Sequence, residues 1–375
     1  MRILHVIADL GTYGAERLVE LLVDELRGHD VDLELAVATI FSSSEAATRL
    51  RVPVLDAARR NRYDLGFFVR LCAAIDRWRP DVVHTHMHMG KYWGRLAALL
   101  CRVPVIVHTE HNSEFGVSRF YRLPNRFLSA RTSRVVTFSQ TQRAALAADE
   151  GIPLDRIVVI PNGIALAPFD PAQRERARAA LGAAPGERVL LHVGRLHAVK
   201  NQRLAIEAMP LLPDDVRLYF AGDGADRAAL EELARTRGVG ERVTFLGFRD
   251  DATALVAGAD VALVTSHNEA MPLAVIEAMA AQAPLASTPW HGAREMLGGG
   301  AYGIVADGYA PPQLAAAVRA VLDDPAGARE RAARASAFCR GEYDITVTAR
   351  RHAALYRELI AEMRAANALI SAARS

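Results

Sequence analysis

Cysteine is scarce in this chain: Cys72, Cys101 and Cys339 are the only three in 375 residues, and none stands in a metal-type spacing. That excludes a disulfide framework and a cysteine zinc site as organising devices, and it suits small buried thiols in a reduced compartment. A surplus of charge is also missing. The formal balance of +2, from 45 basic and 43 acidic side chains, argues against a dedicated nucleic-acid partner. No apolar run reaches the roughly 20 residues that span a bilayer. The opening MRILHVIADL runs into a glycine loop without a cleavage region, so it reads as a first strand rather than a secretion signal. The expected location is the cytoplasm, or the cytoplasmic face of a membrane.

What the chain has in quantity is short Val-, Ile- and Leu-rich runs alternating with helical patterns, the mark of parallel sheets built from crossover units. One series of strands is expected near Ile3 to Ala8, Leu33 to Ala38, Val52 to Leu55, Asp81 to His84, Val105 to Thr109 and Val135 to Phe138. A second series is expected near Arg188 to Val193, Arg217 to Ala221, Val243 to Leu246, Val261 to Val264, Pro284 to Ser287 and Gly303 to Val305. Between them IPNGIALAPFDPAQ, residues 160 to 173, gathers proline, glycine and asparagine as linkers do. The fold class is therefore α/β with two doubly wound domains, residues 1–165 and 166–345, followed by a helical segment, 346–375, expected to pack back on the first. In such folds ligands bind outside the carboxyl ends of the strands.

The stretch from Ala259 to Ala286 carries the most chemistry. It reads as a buried strand, a polar loop and a helix whose first residue is Pro272, where only an already orphaned donor is given up. The free amides of Met271, Leu273 and Ala274 at a helix start would face a phosphate. Glu269 and Glu277 flank that point. Ionised carboxylates only accept hydrogen bonds, so their natural partners are sugar hydroxyls rather than the phosphate. In the strand-to-helix loop of RVLLHVGRLHAVKNQRLAIEA, Arg195 and Lys200 supply a two-pronged cation and a point charge able to neutralise a leaving diphosphate.

Arg195, Lys200 and the E-x7-E pair Glu269 and Glu277, in the frame S-x-x-E-x-x-P-x-x-x-x-E-A-M-A, resemble the retaining glycosyltransferases of family 4, with the GT-B architecture of two facing Rossmann-like domains. VVHTHMHMG (82–90), IPNGI (160–164), FAGDG (220–224) and FLGF (245–248) extend the resemblance over nearly the whole chain. The resemblance implies a nucleotide-diphosphate sugar as donor, held at the diphosphate by Arg195 and Lys200, at the ribose by Glu277, at the transferred sugar by Glu269 and His108, and at the base by the backbone of Gly247 and Phe248. It implies transfer with retention, neither metal nor cofactor, and no enzymic nucleophile, the departing phosphate assisting the acceptor. Gly14, in the loop GTYGAERL, would approach a ligand closely at the start of the first helix. Two departures stand out. Tyr13 replaces one of two adjacent glycines, and Ala270 replaces a glycine whose backbone nears the diphosphate, where a methyl group restricts positive φ.

Histidines gather at His84, His86 and His88 and again at His108 and His111, without a carboxylate or cysteine partner at metal-binding spacing. The sequence Asp30-Val31-Asp32 precedes a strand and reads as a solvated loop rather than a metal motif. Residues 118–134 carry Arg119, Arg122, Arg126, Arg131 and Arg134 with no acid, among Phe120, Tyr121, Leu123, Phe127 and Leu128. Such a face suits either an anionic membrane surface bearing a lipid-linked acceptor or a helix packed on its own domain. The expected activity is sugar transfer to a glycan or lipid-linked acceptor, in surface polysaccharide or glycolipid synthesis. A sugar-nucleotide epimerase and a noncatalytic sugar-nucleotide-binding partner are the alternatives.

Overall fold

In a computed structural model the described residues are 1–10, 14–29, 32–41, 50–111, 119–167 and 169–372. Tyr13, Asp30 and Val31, Ser118 and the side chains of residues 119–122 lie outside them. Two compact units emerge, one of Met1–Ala165 with Asp344–Ser375, the other of Leu166–Tyr343.

The first unit holds a parallel sheet in the order β3-β2-β1-β4-β5-β6-β7. Its strands are β1 (Arg2–Ile7), β2 (Glu34–Thr39), β3 (Val54–Asp56), β4 (Val82–His86), β5 (Val105–Thr109), β6 (Arg134–Thr137) and β7 (Ile157–Val159). The second holds a parallel sheet in the order β10-β9-β8-β11-β12-β13, from β8 (Arg188–Val193), β9 (Val216–Ala221), β10 (Val243–Gly247), β11 (Val261–Val264), β12 (Leu285–Ser287) and β13 (Ile304–Val305). Ile3, Leu4, Val6 and Ile7 are all fully buried because helices cover both faces, which is why these strands read as continuous apolar runs instead of alternating ones. The twelve expected strands are all present, displaced by a residue or two at their ends. β7 was not anticipated: its three residues run straight into the Pro- and Gly-rich stretch that marks the linker.

In both sheets the first strand lies between its successor and a later strand, β1 between β2 and β4 and β8 between β9 and β11. With right-handed crossovers, the chain therefore leaves these strands toward opposite sides and opens a crevice at their carboxyl ends. The first helix, Gly14–His29, buries Leu18, Val19, Leu22, Val23 and Leu26 at helical spacing. The last helix, Ile345–Ala372, adds Ile345, Ala349, Tyr356, Leu359 and Ile360 to the core that also contains Leu22, Leu26, Val82 and Val105. Gly163 lets this return happen, since a Cβ there would lie 2.5 Å from Thr348 Oγ1 and 2.8 Å from the Asp344 carbonyl oxygen. No helix among the described residues is long and apolar enough to cross a membrane.

Tyr356 is the largest apolar anchor of the last helix, fully buried, with its hydroxyl 2.6 Å from His84 Nδ1. Tyr356→Ala should destabilise the first unit by about 3–5 kcal/mol through the cavity it leaves, whereas Tyr356→Phe should cost about 1 kcal/mol. Denaturant unfolding of the two variants measures the difference; equal losses would mean that packing contributes nothing beyond the hydrogen bond.

Candidate functional site

Of the charged residues picked out in the second half, Lys200 and Glu269 meet at the crevice between β8 and β11. The loop after β8 carries Lys200 and the loop after β11 carries Glu269, and Lys200 Nζ lies 2.5 Å from Glu269 Oε1. Ser266 Oγ donates to the same oxygen at 2.6 Å. Two further bonds fasten these loops together: Thr265 Oγ1 donates to the Lys200 carbonyl at 2.8 Å, and the His267 amide to the Val199 carbonyl at 2.9 Å. Both charges are partly buried, so a ligand can reach them while bulk water screens them incompletely. Arg195 is exposed, and its carbonyl is fixed by Gln202 Nε2 at 2.9 Å.

The neighbouring glycine turn is dictated by contact. A Cβ on Gly222 would fall 2.1 Å from the Gly194 carbonyl oxygen, so no larger residue lets the ends of β8 and β9 approach this closely. At the end of β10, Gly247 adopts φ +71° beside the Arg227 guanidinium, and Phe248 projects into solvent, 70% exposed. The helix Leu273–Ala280 starts one residue later than expected. Pro272 stays extended at φ −71°, ψ 125° as its N-cap rather than joining the first turn. Glu277 lies on that helix and accepts from Thr253 Oγ1 at 3.0 Å. Burial raises its carboxyl above the ordinary range, and the Thr253 hydroxyl opposes the rise.

Ala270 raises no backbone conflict. The described non-glycine residues with positive φ are Ala58, Arg79, Met87, Arg102, Asn201 and Gln282, so the methyl of Ala270 sits on ordinary geometry. The loop takes a shape compatible with the methyl group, reaching its course without a left-handed residue at Ala270.

In the first unit the histidines collect at the crevice between β1 and β4. His5, His84 and His86 bring candidate ligand atoms within 4.8 Å of one another. Five of their six ring nitrogens are engaged: His5 Nδ1 lies 3.0 Å from His86 Nε2, His86 Nδ1 lies 3.2 Å from His111 Nε2, His84 Nδ1 meets Tyr356, and His84 Nε2 lies 2.7 Å from Thr109 Oγ1, while His5 Nε2 has no partner among the described residues. His108 is 1% exposed, and its Nδ1 lies 3.0 Å from Thr85 Oγ1 and 3.1 Å from the Thr85 carbonyl oxygen. His108 Nε2 therefore points the other way, 3.7 Å from Glu110 Oε2. His111, just past β5, is half-buried and lines a small cavity with His86, Asn162 and Thr348. Burial lowers His108 and His111 to about 4, which leaves both rings neutral at neutral pH. Gly14, with φ +27°, opens the first helix, and a Cβ there would meet no atom of the described residues within 4 Å.

Sequence reasoning missed the buried ion cluster beside these histidines. Lys91, on a π-helical turn Gly90–Gly94, is held between Glu110 Oε2 at 2.6 Å and Glu150 Oε1 at 2.5 Å. Burial works against its charge, and the two carboxylates more than offset that and raise the ammonium. Fully buried Arg95 bonds the Lys91 carbonyl and reaches Asn125, Ser129 and Thr132, which anchors the helix Arg119–Ser129. On that helix Leu123 is 77% exposed and Phe127 48%, with Arg131 stacked 3.8 Å from the Phe127 ring centre, while Arg134 turns away to pair with Glu362. No local signal announces Lys91 or Thr253, since their partners lie 19, 59 and 24 residues away.

Comparison with known proteins completes the picture. Residues 12–167 match the model described as Glycosyltransferase Family 4, and residues 173–337 that described as Glycosyl transferases group 1. The chain is 33% identical over 295 residues to glycogen synthase of Mycobacterium tuberculosis, covering 74% of this chain and 69% of that enzyme. It is 31% identical over 318 residues to D-inositol 3-phosphate glycosyltransferase of Mycolicibacterium gilvum, covering 78% and 70%. Anabaena HepE, crystallised in complex with UDP, superposes with a TM-score of 0.84 at 22% identity over 96% of this chain and all of that one. By these matches of sequence and of fold, the chain belongs to the GT-B glycosyltransferases of the family 4 and group 1 type.

Proposed function

We propose that this glycosyltransferase moves a sugar from a nucleotide-diphosphate donor to a glycan or lipid-linked acceptor with retention of configuration and without a metal, in surface polysaccharide or glycolipid synthesis. The observation that carries the reading is the Lys200 to Glu269 pair at the crevice of the second sheet, 2.5 Å apart and steadied by Ser266. Free of ligand, each charge offsets the other. With donor bound, Lys200 and Arg195 turn to the diphosphate, Glu269 to the hydroxyls of the transferred sugar, and Glu277 to the ribose; the amides of Met271 and Leu273 add dipoles at the phosphates, and the backbone of Gly247 and Phe248 faces the base. The charge developing on the leaving diphosphate then meets fixed cations, which is where such sites gain most of their rate.

Anabaena HepE has also been crystallised with UDP-glucose, which makes a UDP-sugar the first donor to try. In the first unit, Gly14 would admit a ligand close to the backbone. His111, half-buried at the end of β5, is the histidine we set against the sugar, with His108 behind it, held by Thr85. The exposed Leu123, Phe127 and Arg126 would let residues 118–134 rest on an anionic membrane face beside a lipid-linked acceptor.

A thermal-shift screen of UDP-, GDP- and ADP-sugars tests donor binding, because a donor at a hundred times its Kd should stabilise the fold by about 2.7 kcal/mol. Lys200→Ala should abolish that shift and lower transfer by roughly 10²- to 10³-fold with its own melting temperature near wild type; a variant that still transfers at the wild-type rate would remove Lys200 from the site. Treatment with EDTA should leave transfer unchanged, and a loss restored by Mn²⁺ would overturn the metal-free reading. His111→Ala should reduce transfer by about 10²-fold, while His108→Ala should act on stability first. The reverse pattern would return the sugar to His108.

A further inference from the structure

Three histidines at the crevice of the first sheet form one hydrogen-bonded line. His5 Nδ1 lies 3.0 Å from His86 Nε2, and His86 Nδ1 lies 3.2 Å from His111 Nε2. His5 sits inside β1, His86 ends β4 and His111 follows β5, so the line crosses three adjacent strands toward their carboxyl ends. His5 and His86 are fully enclosed, and His111 reaches the surface at the far end. Burial keeps all three rings neutral: His5 is lowered to about 3 and His111 to about 4, and His86 lies well below its ordinary value.

A neutral imidazole has one N–H and one bare nitrogen. In a line of such rings every N–H must therefore point the same way, and only two directions exist. If the protons ran inward, His111 would donate to His86 and His86 to His5, leaving an N–H on His5 Nε2. That nitrogen is buried and has no hydrogen-bond partner among the described residues. A buried N–H without an acceptor is among the rarest defects in folded proteins. If the protons run outward, His5 Nδ1 donates to His86 Nε2, His86 Nδ1 donates to His111 Nε2, and the atom left over on His5 is a bare nitrogen.

We propose that His5 and His86 are positioning residues that fix His111 as the Nδ1–H tautomer, so that it presents a neutral hydrogen-bond donor to a hydroxyl oxygen of the transferred sugar. The selection is made by burial rather than by charge. A neutral donor can bind an oxygen of the sugar without carrying a charge into the enclosed site, and it does so unchanged across the physiological pH range. The proposal rests on the reading that the β5 end faces the sugar, and its test separates the two.

Histidine ¹⁵N NMR of the full chain distinguishes protonated from bare ring nitrogens directly and needs no activity. His111 should carry its proton on Nδ1, His86 on Nδ1 and His5 on Nδ1, with assignments from His5→Phe, His86→Asn and His111→Gln. In His86→Asn the carboxamide nitrogen stands near the former Nδ1 and can still donate, so the His111 tautomer should persist and transfer should remain within about threefold of wild type. In His86→Leu the donor is gone, His111 should become a mixture of tautomers, and transfer should fall about tenfold or more. A proton on His5 Nε2 in the wild type overturns the relay, as does an unchanged His111 tautomer in His86→Leu. Should His86→Leu fail to fold, the wild-type and His86→Asn spectra still decide. Zn²⁺ shifting the signals of His5, His84 and His86 together at stoichiometric amounts would show a metal site in place of the relay. If the tautomers stand as stated but His111→Gln transfers normally, the sugar contact is refuted and the relay alone survives.

Discussion

Parallel pairing of a first strand with neighbours on both sides is the constraint on which the rest of this structure depends. β1 lies between β2 and β4, and β8 between β9 and β11. Because successive crossovers leave such a strand toward opposite sides, no connection covers its carboxyl end. The chain spends its charged and polar side chains at those two places. Lys200 and Glu269 meet at the second crevice and the histidine line crosses the first. The same constraint explains the makeup of the strands: sandwiched between helices, they are filled mostly by Val, Ile and Leu, and of their polar exceptions His5, His84, His86 and His108 lie on β1, β4 and β5.

The two units solve the problem of polar groups near a core differently. In the second, Lys200 and Glu269 keep partial access to water, so a ligand can exchange one partner for another. In the first, Lys91 is closed between Glu110 and Glu150, and Arg95 is sealed among Asn125, Ser129 and Thr132. Buried ions of this kind stabilise little in net terms, but removing one partner leaves a bare charge in a low dielectric. Their effect is geometric. The cluster ties the π-helical turn after β4, the residue after β5 and the helix Arg119–Ser129 into one support beneath His108 and His111.

Ala270 fits its loop without backbone strain. The loop after β11 is shaped by Ser266, by the His267 amide and by Pro272 at the helix cap, and none of these requires a left-handed residue at Ala270. A methyl group is compatible with that course.

The sequence by itself determined the two series of strands, the linker between them, and the identity of the charged residues in the second half. These follow from local patterns: apolar periodicity, Pro and Gly clusters, and Arg195, Lys200 and Glu269 in the loops that follow strands, with Glu277 on the next helix. Local patterns place an element well and its last residue poorly, which is why the helix begins at Leu273 rather than Pro272 and why the three residues of β7, directly before the linker, gave no signal of their own. Only the tertiary structure decided what depends on distant residues meeting. Thr253 reaches Glu277, Lys91 finds two carboxylates, and His108 is enclosed while His111 keeps partial exposure. Burial and pairing are properties of the packed sheet, and adjacent histidines with the same local pattern acquire opposite surroundings when one lies within a strand and the other just beyond its end.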